Sequence, residues 1–209
     1  YLQPLNRLFE CLPPTFIPSD FAIHAALRSG YTKIANMIIT HHNFTGQNVE
    51  FCTLKAVAIG GYVKIFKLLL ENDTFQLSSY DYWADLLLFA IHSGSTRLVK
   101  LLLAQPSLRL TRRLVSAMFE IIIDWDYNPK FVKILLEHIH TCIFINIDRV
   151  IVDAIQYGRV NILKILLNSD EETYSFRIPT IYIREMQAAG MTDIAKMLKQ
   201  SRKNRNSFW

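Results

Sequence analysis

Along the chain, short apolar runs at helical spacing alternate with brief polar breaks. In Ile65, Leu68 and Leu69, and again in Ile162, Ile165 and Leu166, apolar side chains fall at i, i+3 and i+4, one face of an α-helix. A second apolar stretch precedes each such run, as in 21–29, 86–93, 150–157 and 181–189, and predicts a partner helix. Between the two sits a glycine (Gly30, Gly61, Gly94, Gly158 or Gly190), suited to ending a helix with positive φ. N-cap residue types follow at Thr32, Ser95, Thr96, Asn128 and Thr192. A small residue, Ala26, Ala90 or Ala154, lies four before the glycine, where it lets two helices approach closely.

The unit recurs. The stretch from Gly61 to Leu70 is echoed from Gly94 to Leu103 and from Gly158 to Leu167, with weaker copies at Gly30 and Gly190. A further copy starts at Tyr127 and lacks the glycine. Starts at 30, 61, 94, 127, 158 and 190 are separated by 31, 33, 33, 31 and 32 residues. That period predicts about six helix-turn-helix repeats. Stacked repeats make an extended surface, which directs the functional question toward binding.

The segments 58–70 and 90–103 resemble the ankyrin repeat family, whose pattern is an apolar-Ala segment followed by Gly-His-x-x-Ile-Val-x-x-Leu-Leu. The resemblance covers residues 20 to 200 and implies an all-α, ankyrin-like helical repeat solenoid. The array is divergent. The family's helix opening survives only as Ile23-His24, and its Asn-Gly-Ala-Asp finger is replaced by other residues after each second helix, so the fingers are expected to be short or irregular. Residues 1–19 read as an N-terminal cap or the remnant of a preceding repeat, and 201–209 as a basic tail. A start at Tyr1 instead of Met suggests a piece of a longer protein.

Composition fits packed helices: 51% of the 209 residues are hydrophobic. No apolar run reaches the roughly 18 residues of a membrane span. The formal charge is +5, matched by Lys196, Lys199, Arg202, Lys203 and Arg205 with no acid after Lys196. The repeat body is therefore neutral, which speaks against nucleic-acid binding by it. Three scattered cysteines, Cys11, Cys52 and Cys142, suit a reducing compartment.

Catalytic and metal chemistry find little support. Among His24, His41, His42, His92, His138 and His140, no pair has the i, i+4 spacing of a helical metal site. Cys52 and Cys142 read as inert buried thiols, and no phosphate loop or nucleophile elbow occurs. No cofactor, metal or enzyme activity is expected.

The family resemblance implies a concave face built from the residues five, two and one before each repeat start. There the sequence places Phe89, His92, Trp125, Asp126 and Tyr157, aromatic anchors among polar groups. A second surface is expected at the tips before each first helix, with Tyr82 and Trp83 in one and Arg112 and Arg113 in the next. The expected function is a monomeric protein-protein interaction module that binds a protein or peptide, located in the cytoplasm. The divergent style is similar to ankyrin proteins of intracellular bacteria and large DNA viruses, which extends the expectation to a host-directed effector in host cytosol or nucleus. The alternative is a substrate-recruiting region of a larger enzyme whose catalytic domain lies upstream.

Overall fold

The computed structural model describes residues 11, 19–41, 43–45, 49–72, 80–106, 108–139, 147–168 and 179–206. Twelve α-helices and no strand occur among them, which makes the chain all-α over its described residues. The stretches 73–79, 140–146 and 169–178 lie outside those residues, as does Cys142, while 104–106, one of the replaced fingers, is described and holds no strand. The chain divides into two compact units, residues 1–107 and 108–209.

The first unit holds three helix pairs: α1 (Asp20–Arg28) with α2 (Thr32–Ile39), α3 (Phe51–Ile59) with α4 (Val63–Leu70), and α5 (Tyr80–His92) with α6 (Thr96–Leu103). The partners of each pair pack together. In addition α1 packs on α3 and α3 on α5, while α2 packs on α4. First helices therefore form one layer and second helices another. The second helices bury a face at i, i+1 and i+4: Ile65, Phe66 and Leu69 in α4, and Leu98, Val99 and Leu102 in α6. The i+3 residue Leu68 is only half-buried, because the face turns toward the neighbouring helix of its layer. In the first-helix layer Thr53 is the buried polar residue; its hydroxyl donates to Asp20 Oδ2 at 2.8 Å and ties α3 to α1.

The second unit repeats the plan with α7 (Arg112–Asp124) and α8 (Lys130–Ile139), α9 (Ile147–Gln156) and α10 (Val160–Asn168), and α11 (Thr180–Ala188) and α12 (Thr192–Asn206). Here α7 packs on α9, and α10 packs on both α8 and α12. Met118, Phe119, Phe131, Leu135, Leu163 and Leu198 fill its core. The last helix continues to Asn206, so the basic run expected as a tail from residue 201 begins as helix.

The turn inside each pair is nearly the same object six times. The five anchor glycines have φ between 63° and 76°. The amide of the next residue then reaches back to a carbonyl in the last turn of the first helix: Tyr31 to Ala26 at 2.8 Å, Tyr62 to Val57 at 3.0 Å, Arg159 to Ala154 at 2.8 Å and Met191 to Met186 at 2.8 Å. This is the Schellman closure of a helix end. At Gly94 the Ser93 hydroxyl completes the same link, accepting from the Ser95 amide at 3.3 Å and donating to the Ala90 carbonyl at 2.8 Å.

The remaining turn corrects the sequence reading. Its left-handed residue is Asp126, with φ 53°, not Tyr127. The Tyr127 amide makes the closing bond to Ile122 at 3.1 Å. One additional residue sits in this turn: the first helix ends in register with Asp126, while α8 keeps the apolar register counted from Tyr127. Asn128 accommodates the extra residue, its Oδ1 accepting the Lys130 amide at 3.0 Å. Two further corrections concern caps. Ser95 does cap α6, accepting the Leu98 amide at 3.3 Å, but Thr32 and Thr192 are the first residues inside their helices.

Candidate functional site

In the second unit, the corrected register gives Trp125 and Tyr157 the same place. Each directly precedes the left-handed residue of its turn, Asp126 or Gly158. At that place the backbone is leaving the helix and the side chain points away from the packed faces. Trp125 is accordingly 68% exposed and Tyr157 52%. By contrast Ile122, which the uncorrected register put on the exposed face, is fully buried; it occupies the position of Ala26, Ala90 and Ala154.

Charged groups lie beside Tyr157 and at the end of α7. The Tyr157 hydroxyl lies beside Asp124, whose negative charge and hydrogen bond push its pKa above the usual phenol value. Arg159 reaches back from the following turn to the end of α7. Its Nε donates to the Ile123 carbonyl at 2.7 Å, its Nη2 to the Asp124 carbonyl at 2.8 Å, and its Nη1 lies 3.2 Å from Asp126 Oδ2. A cation on the last carbonyls of a helix satisfies orphan acceptors and opposes the negative end of the helix dipole. Asp126 is thus both the left-handed residue and the anionic partner of this clamp. Together Trp125, Tyr157, Asp124, Asp126 and Arg159 form an aromatic and charged patch, held on a helix terminus that Arg159 locks.

Arg112 and Arg113 follow the N-cap Thr111 at the start of α7, and both are exposed. They belong to the helix, not to a loop. Arg112 lines a small cleft of about 170 Å³ between α7 and α9 with Glu120, Arg149 and Asp153. Arg149 spans Glu120 at 3.8 Å and Asp153 at 3.9 Å there, both loose surface contacts.

In the first unit, Tyr82 and Trp83 also lie in a first turn, that of α5, where a loop was expected. Trp83 does not serve an exposed surface. It is only 5% exposed, packed edge-on to Phe66 with ring centroids 6.3 Å apart, and its Nε1 has no hydrogen-bond partner among the described residues. A large ring at the start of a long first helix finds the inter-helix core before it finds solvent. Tyr82, 38% exposed, stacks on Phe51 at 4.5 Å. Phe89 is half-buried, with the Lys55 ammonium 4.8 Å from its centroid, and His92 is exposed at the end of α5.

One group among the described residues brings three metal-type donors within 4.8 Å of one another: Asp20, Glu50 and Cys52. The sequence reading missed it, because the donors come from the starts of two successive first helices. Its chemistry is subdued. The Cys52 thiol lies 3.4 Å from Glu50 Oε2, and burial and that hydrogen bond push its pKa up. Burial likewise raises the Asp20 pKa, opposed in part by the Thr53 hydrogen bond. His138 Nδ1 is engaged with the Ile134 carbonyl at 2.8 Å, within its own helix.

Comparison with protein-family models, with curated proteins and with solved structures finds no match for this chain.

Proposed function

We propose that the six helix pairs are repeats of the ankyrin type, each unit a short solenoid of three, and that the chain works by binding a protein or peptide instead of by catalysis. The observation that carries this reading is the pair Trp125 and Tyr157, 68% and 52% exposed at equivalent places in successive repeats, with Asp124 beside Tyr157 and the Asp126–Arg159 pair at the same helix end. Large rings left in water are unfavourable unless another surface covers them, and aromatic anchors with a polar rim are the usual composition of interface hot spots. The surrounding scaffold is rigid where it matters, since Arg159 fixes the end of α7 by two carbonyl contacts. Rigid presentation lowers the ordering cost of binding.

The repeat reading draws support from the period, from the Schellman closure found in five of the six turns and from the two-layer packing inside each unit. The test is a capture experiment with the intact chain beside Trp125→Ala/Tyr157→Ala. The expected result is a specific partner held by the first and lost by the second, with both melting alike. Equal capture by both would remove this patch from the function.

A further inference from the structure

A different surface of the first unit carries a second binding inference, independent of the aromatic patch. The two helix layers of this unit differ in charge: the first helices mix Arg28 and Lys55 with acids, whereas the second helices carry cations alone. The second helices α2, α4 and α6 contain Lys33, Lys64, Lys67, Arg97 and Lys100 and no acid. The acids of the unit's helices, Asp20, Asp81 and Asp85, all belong to the first helices. One layer is therefore wholly cationic in a chain whose body is close to neutral.

A groove of about 680 Å³ crosses all three second helices near their N-termini. Lys33, Lys64 and Arg97 line it, each the second residue of its helix and each exposed. None of the three forms an ion pair with a described residue. They sit at the positive ends of their helix dipoles, where acids are favoured, so the free protein holds like charges together. The groove is not purely polar: half-buried Met37 and Tyr62 and buried Ile65 contribute apolar surface beside the cations.

We infer that this groove binds an extended acidic segment of a partner protein, with carboxylates on Lys33, Lys64 and Arg97 and apolar side chains against Met37, Tyr62 and Ile65. Charge complementarity selects the sign of the partner. The apolar component favours a peptide, whose side chains alternate chemistry, over a nucleic-acid backbone. Spacing gives the pattern. Helices packed in one layer lie about 8–10 Å apart. A peptide in the extended polyproline II conformation has three residues per turn and advances about 3.1 Å per residue, so every third residue faces the same way and meets the next helix. The preferred segment carries Asp or Glu at every third place with apolar residues between.

The test uses the intact chain and fluorescence anisotropy with a labelled peptide of three Asp-Leu-Ser units. The control peptide replaces each Asp by Asn, and a single-stranded RNA oligonucleotide serves as competitor. The variants are Lys33→Gln/Lys64→Gln/Arg97→Gln, its three single replacements, and Trp125→Ala/Tyr157→Ala, each checked by thermal melting. The inference predicts binding of the Asp peptide that weakens with added salt. Affinity should fall about tenfold or more in the triple variant and for the Asn peptide. The single replacements should give graded losses, and Trp125→Ala/Tyr157→Ala should bind as tightly as the parent chain, which separates this groove from the aromatic patch. No binding, equal binding by the triple variant, or RNA that binds more tightly and displaces the peptide would overturn it.

Discussion

Asp126 shows how much one residue decides. A non-glycine residue at φ 53° is uncommon, and Asp is among the side chains that tolerate it. In exchange its carboxylate meets Arg159, which holds two carbonyls at the end of α7. The Asp126–Arg159 ion pair alone is worth little, because Asp126 is mostly exposed. The carbonyl contacts matter more. Arg159→Ala should lower stability by about 1.5–3 kcal/mol, the range for hydrogen bonds involving a charged group, as read by urea denaturation. A second prediction at this scale concerns pH. Asp20 has a folded pKa raised above the unfolded value of 3.8, burial being the main cause. The folded chain therefore takes up its proton first as pH falls. Relative to Asp20→Asn, the parent chain should gain stability as pH falls through the raised value, levelling off below 3.8. Parallel melts of the two proteins between neutral and acid pH check this; a parent chain that loses ground in that window would refute the sign.

At the scale of elements, each pair contributes a second helix whose i, i+1, i+4 face meets both its partner and its layer neighbour. Leu102 in α6 and Leu166 in α10 lie on that face, 0% and 2% exposed. Leu102→Ala and Leu166→Ala should each cost about 2–5 kcal/mol in chemical denaturation, the usual range for a buried leucine truncated in a well-packed core. Helix existence and the turn positions were legible because the 3.6-residue apolar period and the glycines are local signals, as at Ile65, Leu69 and Gly61. The fourth turn was misread by one residue because its left-handed position is held by Asp126, which carries no distinctive sequence mark. The same slip hid the equivalence of Trp125 and Tyr157 and put Ile122 on the wrong face. Trp83 was misassigned for another reason: an aromatic residue near a helix start reads alike whether it turns to core or solvent, and only packing against Phe66 decides. The Asp20, Glu50 and Cys52 cluster is non-local, assembled from two helix starts, so no spacing rule along the chain reveals it.

For the whole molecule, the two units repeat one construction and differ in what they display. The first unit shows a cationic layer with a groove, and the second an aromatic patch on a clamped helix end. No helix among the described residues is long and apolar enough to cross a membrane, and the net charge of +5 is carried unevenly, so chemistry is concentrated on particular faces. The proposed function requires Trp125 and Tyr157 to contact a partner. Hydrogen–deuterium exchange of the chain with and without the partner recovered by capture tests it most directly. Slowed exchange is expected at residues 124–127 and 156–159, the two turns that carry these rings. Unchanged exchange in both turns, with protection confined elsewhere in the chain, would contradict it.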